Sequence, residues 1–405
     1  MIELGSRFNL LPLNSTVSQL DPLSAIKMTA HFIGLMSGTS LDGADGVLAE
    51  IDDLGKLVVK AHAFVAFEEA FKASLMDLNK SGPDELHRAA LAGNQIARYY
   101  AQVVHELLRV SGLNANHVCA IGAHGQTVRH QPLAFDGNPD KQQAAVGYTL
   151  QLNNPSLLAE LTGIDVVADF RSRDLAAGGQ GAPLVPAFHE GVFAQDDTAV
   201  AVLNIGGISN LSVLKPGNLV TGWDCGPGNA LMDFWCNTHT GEPFDCNGAW
   251  AVSGQVNAPL LKAFLEEPFL LKPPPKSTGR DLFNPVWLAG HLINFSNLPA
   301  NDVQSTLTEF TALACAADVK RYAFEAKTLI VCGGGALNKH LMDRLAYHLP
   351  QLTVTPSDTK GLPPLQVEAA AFAWLAFKTI RRETSSLPSV TGAKGARILG
   401  AIYPH

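Results

Sequence analysis

The pattern of hydrophobic and polar residues predicts the same three-strand unit twice along the chain. Residues 31–66 give an apolar strand, a polar turn rich in glycine, a second strand, the tight turn "DLGK" and a third strand. The same order returns from residue 199, with an apolar run, the turn "GGISN", a strand over 210–214 and the turn "KPGN". Gly38 and Gly206, at corresponding turns, are 168 residues apart, so we interpret the repeat as a duplication on the scale of a domain.

Each unit continues into a pattern typical of mixed α/β proteins. After the first, Pro83 stands where a helix begins, Asp84 and Glu85 lie in its first turn, and "SG" marks its end. The apolar face of this helix is predicted to contain Leu86, Ala90, Ala97, Tyr100, Val104 and Leu107. In the second half, "TLIVCGGGALNKHLMDRLAYHL" predicts a short buried strand, a triple glycine and an amphipathic helix, the order expected where a ligand meets the end of a strand. The two halves therefore predict a cleft between two similar lobes.

Three stretches lack a regular pattern. Residues 1–27 show no sustained apolar period and are predicted to be a disordered extension before Met28, the alternative being an overlong assignment of the start. We interpret "AAGGQGAPLVPAFH" at 176–189 as a crossover, because it carries too many apolar residues for a free linker. "LKPPPKSTGRD" at 271–281 is interpreted as a lid or as the rim of the cleft.

Composition narrows the class of protein. A chain of 405 residues that is 47% hydrophobic can bury a full core and suffices for two domains or one two-lobed unit. The net charge of −8 argues against a large nucleic-acid surface and against a polybasic membrane face. No apolar run approaches the length of a membrane span. The six cysteines have no C-x-x-C spacing and indicate neither a zinc site nor a disulfide framework. These features predict a cytoplasmic protein whose ligand is small.

The glycine-rich turns are candidates for phosphate binding. In "GTSLDGAD", consecutive small residues allow backbone N–H groups to converge on an anion, which suits the phosphates of a nucleotide. Asp42 in this turn is the better candidate to hold Mg²⁺, usually through water. "NIGG" repeats the feature in the second half, and the P-loop pattern occurs nowhere. The alternatives are an ordinary turn capped by Asp42 and Asp45, and a triple glycine that makes only a tight turn.

Two such hairpins and a late glycine-rich turn resemble the superfamily of actin, hexokinase and the heat-shock chaperone ATPases. Seven ordered blocks resemble the anhydro-N-acetylmuramic acid kinase family: "GLMSGTSLDGAD", "IGAHGQTVRHQP", "TGIDVVADFRSRDLAAGGQGAPLVP", "LNIGGISNLS", "GWDCGPGNALMD", "KSTGRDLFN" and "VCGGGALN". The resemblance runs from about residue 32 to 404 and leaves out the leader and the "LAFDGNPDKQQAAVGY" region, which is longer than the family needs.

The resemblance implies an α/β fold of the two-lobed actin-like ATPase type, a duplicated ribonuclease H-like unit with catalysis in the cleft between the lobes. The first lobe is expected to span residues 28–170 plus about 378–405, and the second 171–377. The implied enzyme belongs to peptidoglycan recycling: it uses ATP, Mg²⁺ and water to convert 1,6-anhydro-N-acetylmuramate into N-acetylmuramate 6-phosphate and ADP. A homodimer is also implied.

The family's motifs assign roles to individual residues of this chain. Asp224 in "GWDCGPGN" is the implied base, at the end of the third strand of the second unit; the alternative is a helix cap. Ser37, Arg173 and Glu368 are implied to contact the sugar, the arginine by pairing with its lactyl carboxylate. The residues assigned to ATP are Gly38, Thr39, Ser40, Leu41, Asp42, Gly43, Ala44, Asp45, Gly206, Gly207, Gly333, Gly334 and Gly335.

Alternatives remain open at several of these positions. Arg173 is equally compatible with a surface or interdomain salt bridge, Glu368 with a structural role in an apolar helix, and His124 in "AHGQT" with structural hydrogen bonding. A kinase for another sugar or acid, and a nucleotide-gated binding module without catalysis, are alternative functions. Asp224 discriminates between enzyme and module, because a switch protein needs the phosphate hairpins but no base.

Overall fold

The computed structural model describes residues 29–38, 40–132, 140, 146–279 and 282–405. The predicted extension over 1–27 and the predicted contact of Thr39 with ATP lie outside the described residues. Within that part of the chain, the strands are β1 Thr29–Met36, β2 Gly43–Asp52, β3 Leu57–Ala66, β4 Val118–Ala123, β5 Gln126–Gln131, β6 Tyr148–Leu152, β7 Val166–Ala168, β8 Val200–Ile205, β9 Ile208–Leu214, β10 Thr221–Pro227, β11 Thr328–Cys332, β12 Thr353–Pro356 and β13 Ala401–Tyr403.

Helices follow each meander, as the periodicity predicts, and among the described residues five of them come in succession between β10 and β11. In the described ranges the α-helices are α1 Glu69–Asp77, α2 Glu85–Ser111, α3 Pro155–Thr162, α4 Ser172–Ala176, α5 Val185–Phe193, α6 Ala230–Thr240, α7 Ala249–Val252, α8 Ala258–Leu265, α9 Pro285–Leu292, α10 Ala300–Tyr322, α11 Lys339–His348, α12 Val367–Ile380 and α13 Pro388–Thr391. None of these helices has the length and apolar character that crossing a membrane would require, a finding that covers the described residues only.

The two predicted meanders are confirmed, and each extends into a larger sheet. β1, β2 and β3 pair antiparallel and belong to a sheet that we call sheet one. Among the described residues its strand order is β13-β7-β4-β1-β2-β3, with β4 and β7 parallel to β1. β8, β9 and β10 form the second antiparallel meander, and the described strands of sheet two follow the order β10-β9-β8-β11-β12, with β11 parallel to β8. This duplicated arrangement of an antiparallel meander continued by parallel strands is the predicted two-lobed α/β fold.

Helix α2 is confirmed, but the start of its predicted apolar face is wrong. The helix ends at Ser111, and Gly112 follows in the left-handed conformation with φ +70°. Leu86 is 89% exposed and Ala90 is also exposed. Ala92 is the first buried residue of the helix, so the face that packs on β2 and β3 begins about two turns after the helix starts.

Two helices fill the space between the sheets. α12 packs on β1, β2 and β4 of sheet one, α5 packs on β8 and β9 of sheet two, and the two helices contact each other. Phe188 of α5 meets Trp374 of α12 with ring centroids 6.1 Å apart, and one apolar cluster runs through both helices into both sheets. The division of the chain at residues 170 and 377 stays a prediction; α12, which it splits, lies on sheet one.

Two paired glycines allow α12 to lie this close to sheet one. Gly34 of β1 and Gly122 of β4 are partners in the parallel register. A Cβ at Gly34 would stand 1.9 Å from the carbonyl oxygen of Ala369, and one at Gly122 would stand 2.0 Å from that of Phe372. Both oxygens belong to the backbone of α12, so a side chain at either glycine would force the helix away from the sheet. The first turn of α12 carries Glu368, so these glycines also determine where Glu368 lies.

We expect Gly122→Ala to lower the free energy of unfolding. Removing glycine from a strand would by itself be favourable by about 0.5–1 kcal/mol, but displacing packed backbone costs roughly 1–3 kcal/mol, and the second effect is larger. Gly290→Ala in α9 is the matched control, because among the described residues no heavy atom beyond its neighbours and its own helix backbone lies within 4 Å of its added Cβ. Denaturant unfolding should therefore show a lower midpoint for Gly122→Ala and an equal or higher one for Gly290→Ala; equal midpoints for Gly122→Ala and the parent would contradict the close packing.

Candidate active site

Asp224 lies in the middle of β10, which corrects the prediction that it ends this strand. β10 continues to Pro227, and the chain turns only before α6 begins at Ala230. Asp224 pairs with Asn210 of β9, whereas Gly226 pairs with Ser209, so Cys225 is the extra residue of a β-bulge. Bulges bend a strand and redirect its side chains, and they are frequent beside active sites. The predicted burial of Cys225 is confirmed, since its side chain is 1% exposed.

The carboxylate of Asp224 is held by the segment that precedes α9. The Ser277 hydroxyl and the Thr278 backbone N–H each donate to Oδ2 over 3.0 Å. Burial raises the pKa of Asp224 to about 6, against the opposing effects of these two donors and of the positive charges of Arg171 and Lys276. A carboxylate with this pKa is ionised at neutral pH and is still basic enough to accept a proton efficiently.

Arg171, two residues before the predicted Arg173, contributes the positive charge of this cluster. Its Nε and Nη2 donate to Nε2 of His124 over 3.1 and 2.9 Å, and Nη1 donates to the carbonyl oxygen of Gly181 over 2.8 Å. Among the described residues, no carboxylate lies within the 4.0 Å of an ion pair with Arg171. Burial lowers the pKa of Arg171 to about 10, while the nearby charges of Glu368, Asp224 and Asp174 raise it. The guanidinium is therefore a partly buried cation close to two cleft carboxylates.

His124 is neutral and fixed in one tautomer. Since an arginine can only donate, Nε2 of His124 accepts from Arg171 and Nδ1 carries the proton, which it donates to the carbonyl oxygen of Gly125 over 2.8 Å. Burial and the charge of Arg171 hold the pKa of His124 well below its usual range. The structural role considered for His124 thus has a specific form, which is to orient Arg171.

Arg173 does not lie in this cluster. It is exposed on α4, and its contact with the sugar stays a prediction of the resemblance. The sequence "DFRSRD" offers two arginines, and the useful signal was that Arg171 comes just after β7 and the buried Phe170. Residues that follow the carboxyl end of a parallel strand are the ones that line ligand clefts.

Glu368 lies near Arg171 and contacts the strand that leads into the second hairpin. Nδ2 of Asn204, at the end of β8, donates to Oε1 of Glu368 over 3.3 Å. Burial raises the pKa of Glu368; Asn204 and Arg171 oppose this shift, and the charge of Asp45 adds to it. Asn204 precedes Gly206 by two residues, so Glu368 lies beside the second glycine hairpin, and the charge of Asp45 in the first hairpin also acts on it. The sequence analysis missed Asn204, because the partners are 164 residues apart in the chain.

The first hairpin places its polar residues differently from one another. Ser37 is buried, and its hydroxyl lies 3.2 Å from both the Tyr100 hydroxyl and the carbonyl oxygen of Gly125. Asp42 is exposed, whereas Asp45 accepts a 2.6 Å hydrogen bond from Nε2 of His62, which raises the pKa of that histidine. Leu41 adopts φ +61° and donates its N–H to the carbonyl oxygen of Gly38 over 3.2 Å, which makes the turn tight.

The second hairpin and the triple glycine lie against each other. The carbonyl oxygens of Gly206 and Gly207 accept the N–H groups of Asn229 and Gly228 over 2.7 and 3.0 Å. Gly333 has φ +77°, and a Cβ there would stand 2.5 Å from Oδ1 of Asn204; a Cβ at Gly335 would stand 2.4 Å from Cγ2 of Ile205.

The turn at Gly333–Gly335 thus packs directly on the end of β8, next to the hairpin at Gly206, and neighbouring glycine-rich turns of this kind suit the binding of a polyphosphate. Among the described residues no group of three or more histidine, cysteine or carboxylate side chains is arranged as a metal site. Mg²⁺ bound mainly by phosphates, water and one carboxylate does not need such a group.

Comparisons with known proteins show which proteins this chain is similar to. The family model described as anhydro-N-acetylmuramic acid kinase matches residues 30–405. The chain is 64% identical to the anhydro-N-acetylmuramic acid kinase of Variovorax paradoxus over 92% of this chain and 98% of the relative. It is 58% identical to the protein of the same name from Albidiferax ferrireducens, over 93% and 100%. A solved structure of the activator of 2-hydroxyisocaproyl-CoA dehydratase from Clostridium difficile is 12% identical, with a TM-score of 0.44 over 87% of this chain and 96% of the other.

Proposed function

The chain belongs to the anhydro-N-acetylmuramic acid kinase family, and from this premise we propose which of its residues carry out the reaction. The enzyme is a kinase that uses ATP and water to convert 1,6-anhydro-N-acetylmuramate into N-acetylmuramate 6-phosphate and ADP, a step of cell-wall recycling. Water adds to C1 of the sugar as the C1–O6 bond breaks, and O6 takes the γ-phosphoryl group of ATP. One base and one site for phosphate are therefore required.

Asp224 is the base, and its environment is the observation that carries this assignment. The carboxylate is held from one side by Ser277 and Thr278, and burial raises its pKa to about 6. In this role Asp224 takes the proton of the water that attacks C1. Arg171 is not consumed in this step, and its positive charge balances the carboxylates of the cleft, Asp224 and Glu368. Removing the proton and transferring the phosphoryl group in one bound geometry couples the two bond changes.

The glycine turns bind ATP. The proposed contacts are the backbone groups of Gly38 to Asp45 in the first hairpin, of Gly206 and Gly207 in the second, and of Gly333, Gly334 and Gly335. Support comes from the close packing of the last group on the strand that leads into the second hairpin, where a Cβ at Gly333 or Gly335 would collide with Asn204 or Ile205. Asp42, exposed at the first turn, would hold Mg²⁺ through water, and the ion supplies charge neutralisation of the phosphates when bound.

The sugar contacts Arg171, Glu368 and Ser37. Arg171 replaces Arg173 in this proposal, because only the former is partly buried beside Asp224 and Glu368. A cation without an ion-pair partner in the described part of the cleft suits the lactyl carboxylate of a muramic sugar. Ser37 acts as a fixed hydroxyl, since Tyr100 and Gly125 determine its position.

The test of the function is an assay of the purified protein with ATP, Mg²⁺ and 1,6-anhydro-N-acetylmuramate. We expect one ADP for each sugar phosphate, and far slower turnover with glucose or free N-acetylmuramate as acceptor. Rapid phosphorylation of N-acetylmuramate would contradict the coupled opening of the anhydro ring. Activity with glucose alone would favour a kinase for another sugar.

Asp42→Ala should raise the Mg²⁺ concentration for half-maximal activity and lower kcat more than tenfold, because groups at the phosphate site are worth orders of magnitude. Asp45→Asn serves as the comparison within the same hairpin, and Asp196→Ala as an exposed control far along the chain. Initial rates over a Mg²⁺ titration provide the measurement. If Asp42→Ala stays within about twofold of the parent while Asp45→Asn loses the Mg²⁺ response, the metal belongs to Asp45.

Assembly and location follow from the family rather than from the site. We propose a homodimer that works in the cytoplasm, with the first lobe over residues 28–170 and about 378–405 and the second over 171–377. Sedimentation of the purified chain tests the dimer, and a fractionation of cells tests the location.

A further inference from the structure

A buried ion pair lies directly behind the base. Nζ of Lys276 is 3.0 Å from Oδ2 of Asp318 on α10, and the two side chains are 2% and 3% exposed. The indole N–H of Trp223 donates to the same carboxylate oxygen over 2.8 Å. Trp223 and Asp224 are consecutive residues of β10, so their side chains leave the strand on opposite faces. The ion pair therefore lies on the far side of the strand that carries Asp224.

Lys276 also belongs to the segment that holds the Asp224 carboxylate. Its own carbonyl oxygen accepts the backbone N–H of Asp224 over 3.1 Å. The next two residues, Ser277 and Thr278, donate to the Asp224 carboxylate. The Lys276 side chain thus anchors residues 276–278 in the interior of the second lobe. These three residues bind both the backbone N–H and the carboxylate of Asp224.

The ammonium group has further contacts that fix it in place. It lies 5.1 Å from the centroid of the Phe269 ring and 3.5 Å from the carbonyl oxygen of Leu270. Both residues lie in the short helical turn Pro268–Leu271, which precedes residues 276–278 in the chain. The Lys276 side chain therefore contacts this helical turn as well as Asp318.

Stability alone is a poor explanation for this ion pair. Taking two charges out of water costs several kcal/mol for each ion, and well-packed apolar residues of similar size often stabilise a protein at least as well. Buried ion pairs are better attested as devices that select one arrangement among several. Here the selected arrangement is the path of the segment from Lys276 to Thr278 beside Asp224.

We propose that Lys276 is a positioning residue for catalysis: its ion pair with Asp318 holds residues 276–278 so that Ser277 and Thr278 keep the Asp224 carboxylate in the geometry of a general base. The proposal rests on the assignment of Asp224 as the base. The charged groups that act on Asp224 from the elements around it are Arg171 from the start of α4 and Lys276 itself, and Asp318 neutralises the latter. Loss of the ion pair changes both the position of the carboxylate and the charge near it.

The test compares Lys276→Met with Lys272→Met. Lys272 is an exposed lysine of the same segment whose Nζ lies 5.9 Å from the same Phe269 ring, so it shares the sequence context but not the ion pair. We expect Lys276→Met to lower kcat/KM by roughly tenfold to 10²-fold, the effect of small misplacements of a catalytic group. The low-pH limb of its kcat/KM profile should also move to higher pH, because a positive charge and two hydrogen bonds that favour ionised Asp224 are lost or weakened. Lys272→Met should match the parent in both readouts.

Lys276→Met leaves Asp318 as an unpaired buried charge, so the double variant Lys276→Met/Asp318→Asn is measured beside it. The double variant contains no unpaired buried charge and keeps an oxygen that accepts from the indole N–H of Trp223, so it should unfold near the parent's denaturant midpoint while retaining the loss in kcat/KM and the displaced pH limb. Parent-like activity and pH dependence in the folded double variant would overturn the proposal. Asp224→Asn is assayed in parallel: if it retains activity, the assignment of the base fails, whereas an inactive Asp224→Asn with a parent-like double variant defeats only the role of Lys276.

Discussion

Asp224→Asn is expected to lower kcat for sugar phosphorylation by roughly 10²- to 10⁴-fold, the usual contribution of a positioned general base. Asparagine keeps the size of the side chain and an oxygen that can accept from Ser277 and Thr278, but it cannot take a proton from water. The variant should therefore fold and bind ATP and the anhydro sugar with affinities close to those of the parent. Ring opening and phosphoryl transfer should fail together, because O6 becomes an acceptor only when the ring opens.

Isotope labelling separates this coupled mechanism from two independent reactions. In ¹⁸O water the parent should place the label at C1 of N-acetylmuramate 6-phosphate and leave the phosphate unlabelled. Label in the phosphate would show that ATP is hydrolysed by water instead. Free N-acetylmuramate that accumulates without ATP would show that the ring is opened on its own, and either result contradicts the mechanism.

The pH dependence of the parent enzyme tests whether Asp224 acts in its ionised form. The reactive form is the ionised carboxylate, and burial raises its pKa to about 6. The value of kcat/KM should therefore be maximal above this pH and should fall about tenfold per pH unit below it. A profile that is flat down to about pH 4.5 would mean that the base titrates like a solvent-exposed carboxylate.

The features that could be predicted from the sequence are those encoded by neighbouring residues. Both meanders, the stop of α2 at Gly112 and the order of strand, glycines and helix around Gly333 follow from local periodicity and turn chemistry. The position of Asp224 within β10 could not be predicted, because it depends on a bulge at Cys225 that is defined only by the pairing with β9. The residues Gly226, Pro227 and Gly228 indicate where the chain bends. They do not reveal that the pairing of β10 with β9 already shifts by one residue at Cys225.

The cluster around Asp224 depends on contacts between distant parts of the chain. His124 and Arg171 are 47 residues apart, and Trp223 and Asp318 are 95 apart. Neither pair has a sequence signal of its own, since a buried histidine or aspartate looks the same in the sequence as an exposed one. Gly34 and Gly122 give the same lesson: each is an ordinary strand residue until the register of β1 and β4 brings both beneath α12. Local patterns therefore predicted the two meanders, and the tertiary structure decides which of their residues meet.

Replacing Arg171 is expected to have the second large effect on activity. Arg171→Met should raise KM for 1,6-anhydro-N-acetylmuramate and lower kcat/KM by about 10²-fold or more, since losing a buried partner of a charge costs roughly 3 kcal/mol. Arg173→Met removes the same group from the exposed face of α4 and should stay within about twofold of the parent. The two variants differ by two positions in one motif, so each is the control for the other.

An analogue of the anhydro sugar without its lactyl group identifies what Arg171 recognises. The parent should use this analogue poorly, because the buried guanidinium would then face no carboxylate of the substrate. Arg171→Met should lose most of that preference and turn over the two sugars at similar, low rates. Equal losses for both sugars would instead show that Arg171 acts through Asp224 and Glu368, whose charges it balances. A large effect of Arg173→Met beside a parent-like Arg171→Met would return the carboxylate contact to Arg173, and the arrangement of His124, Arg171 and Glu368 would then be structural.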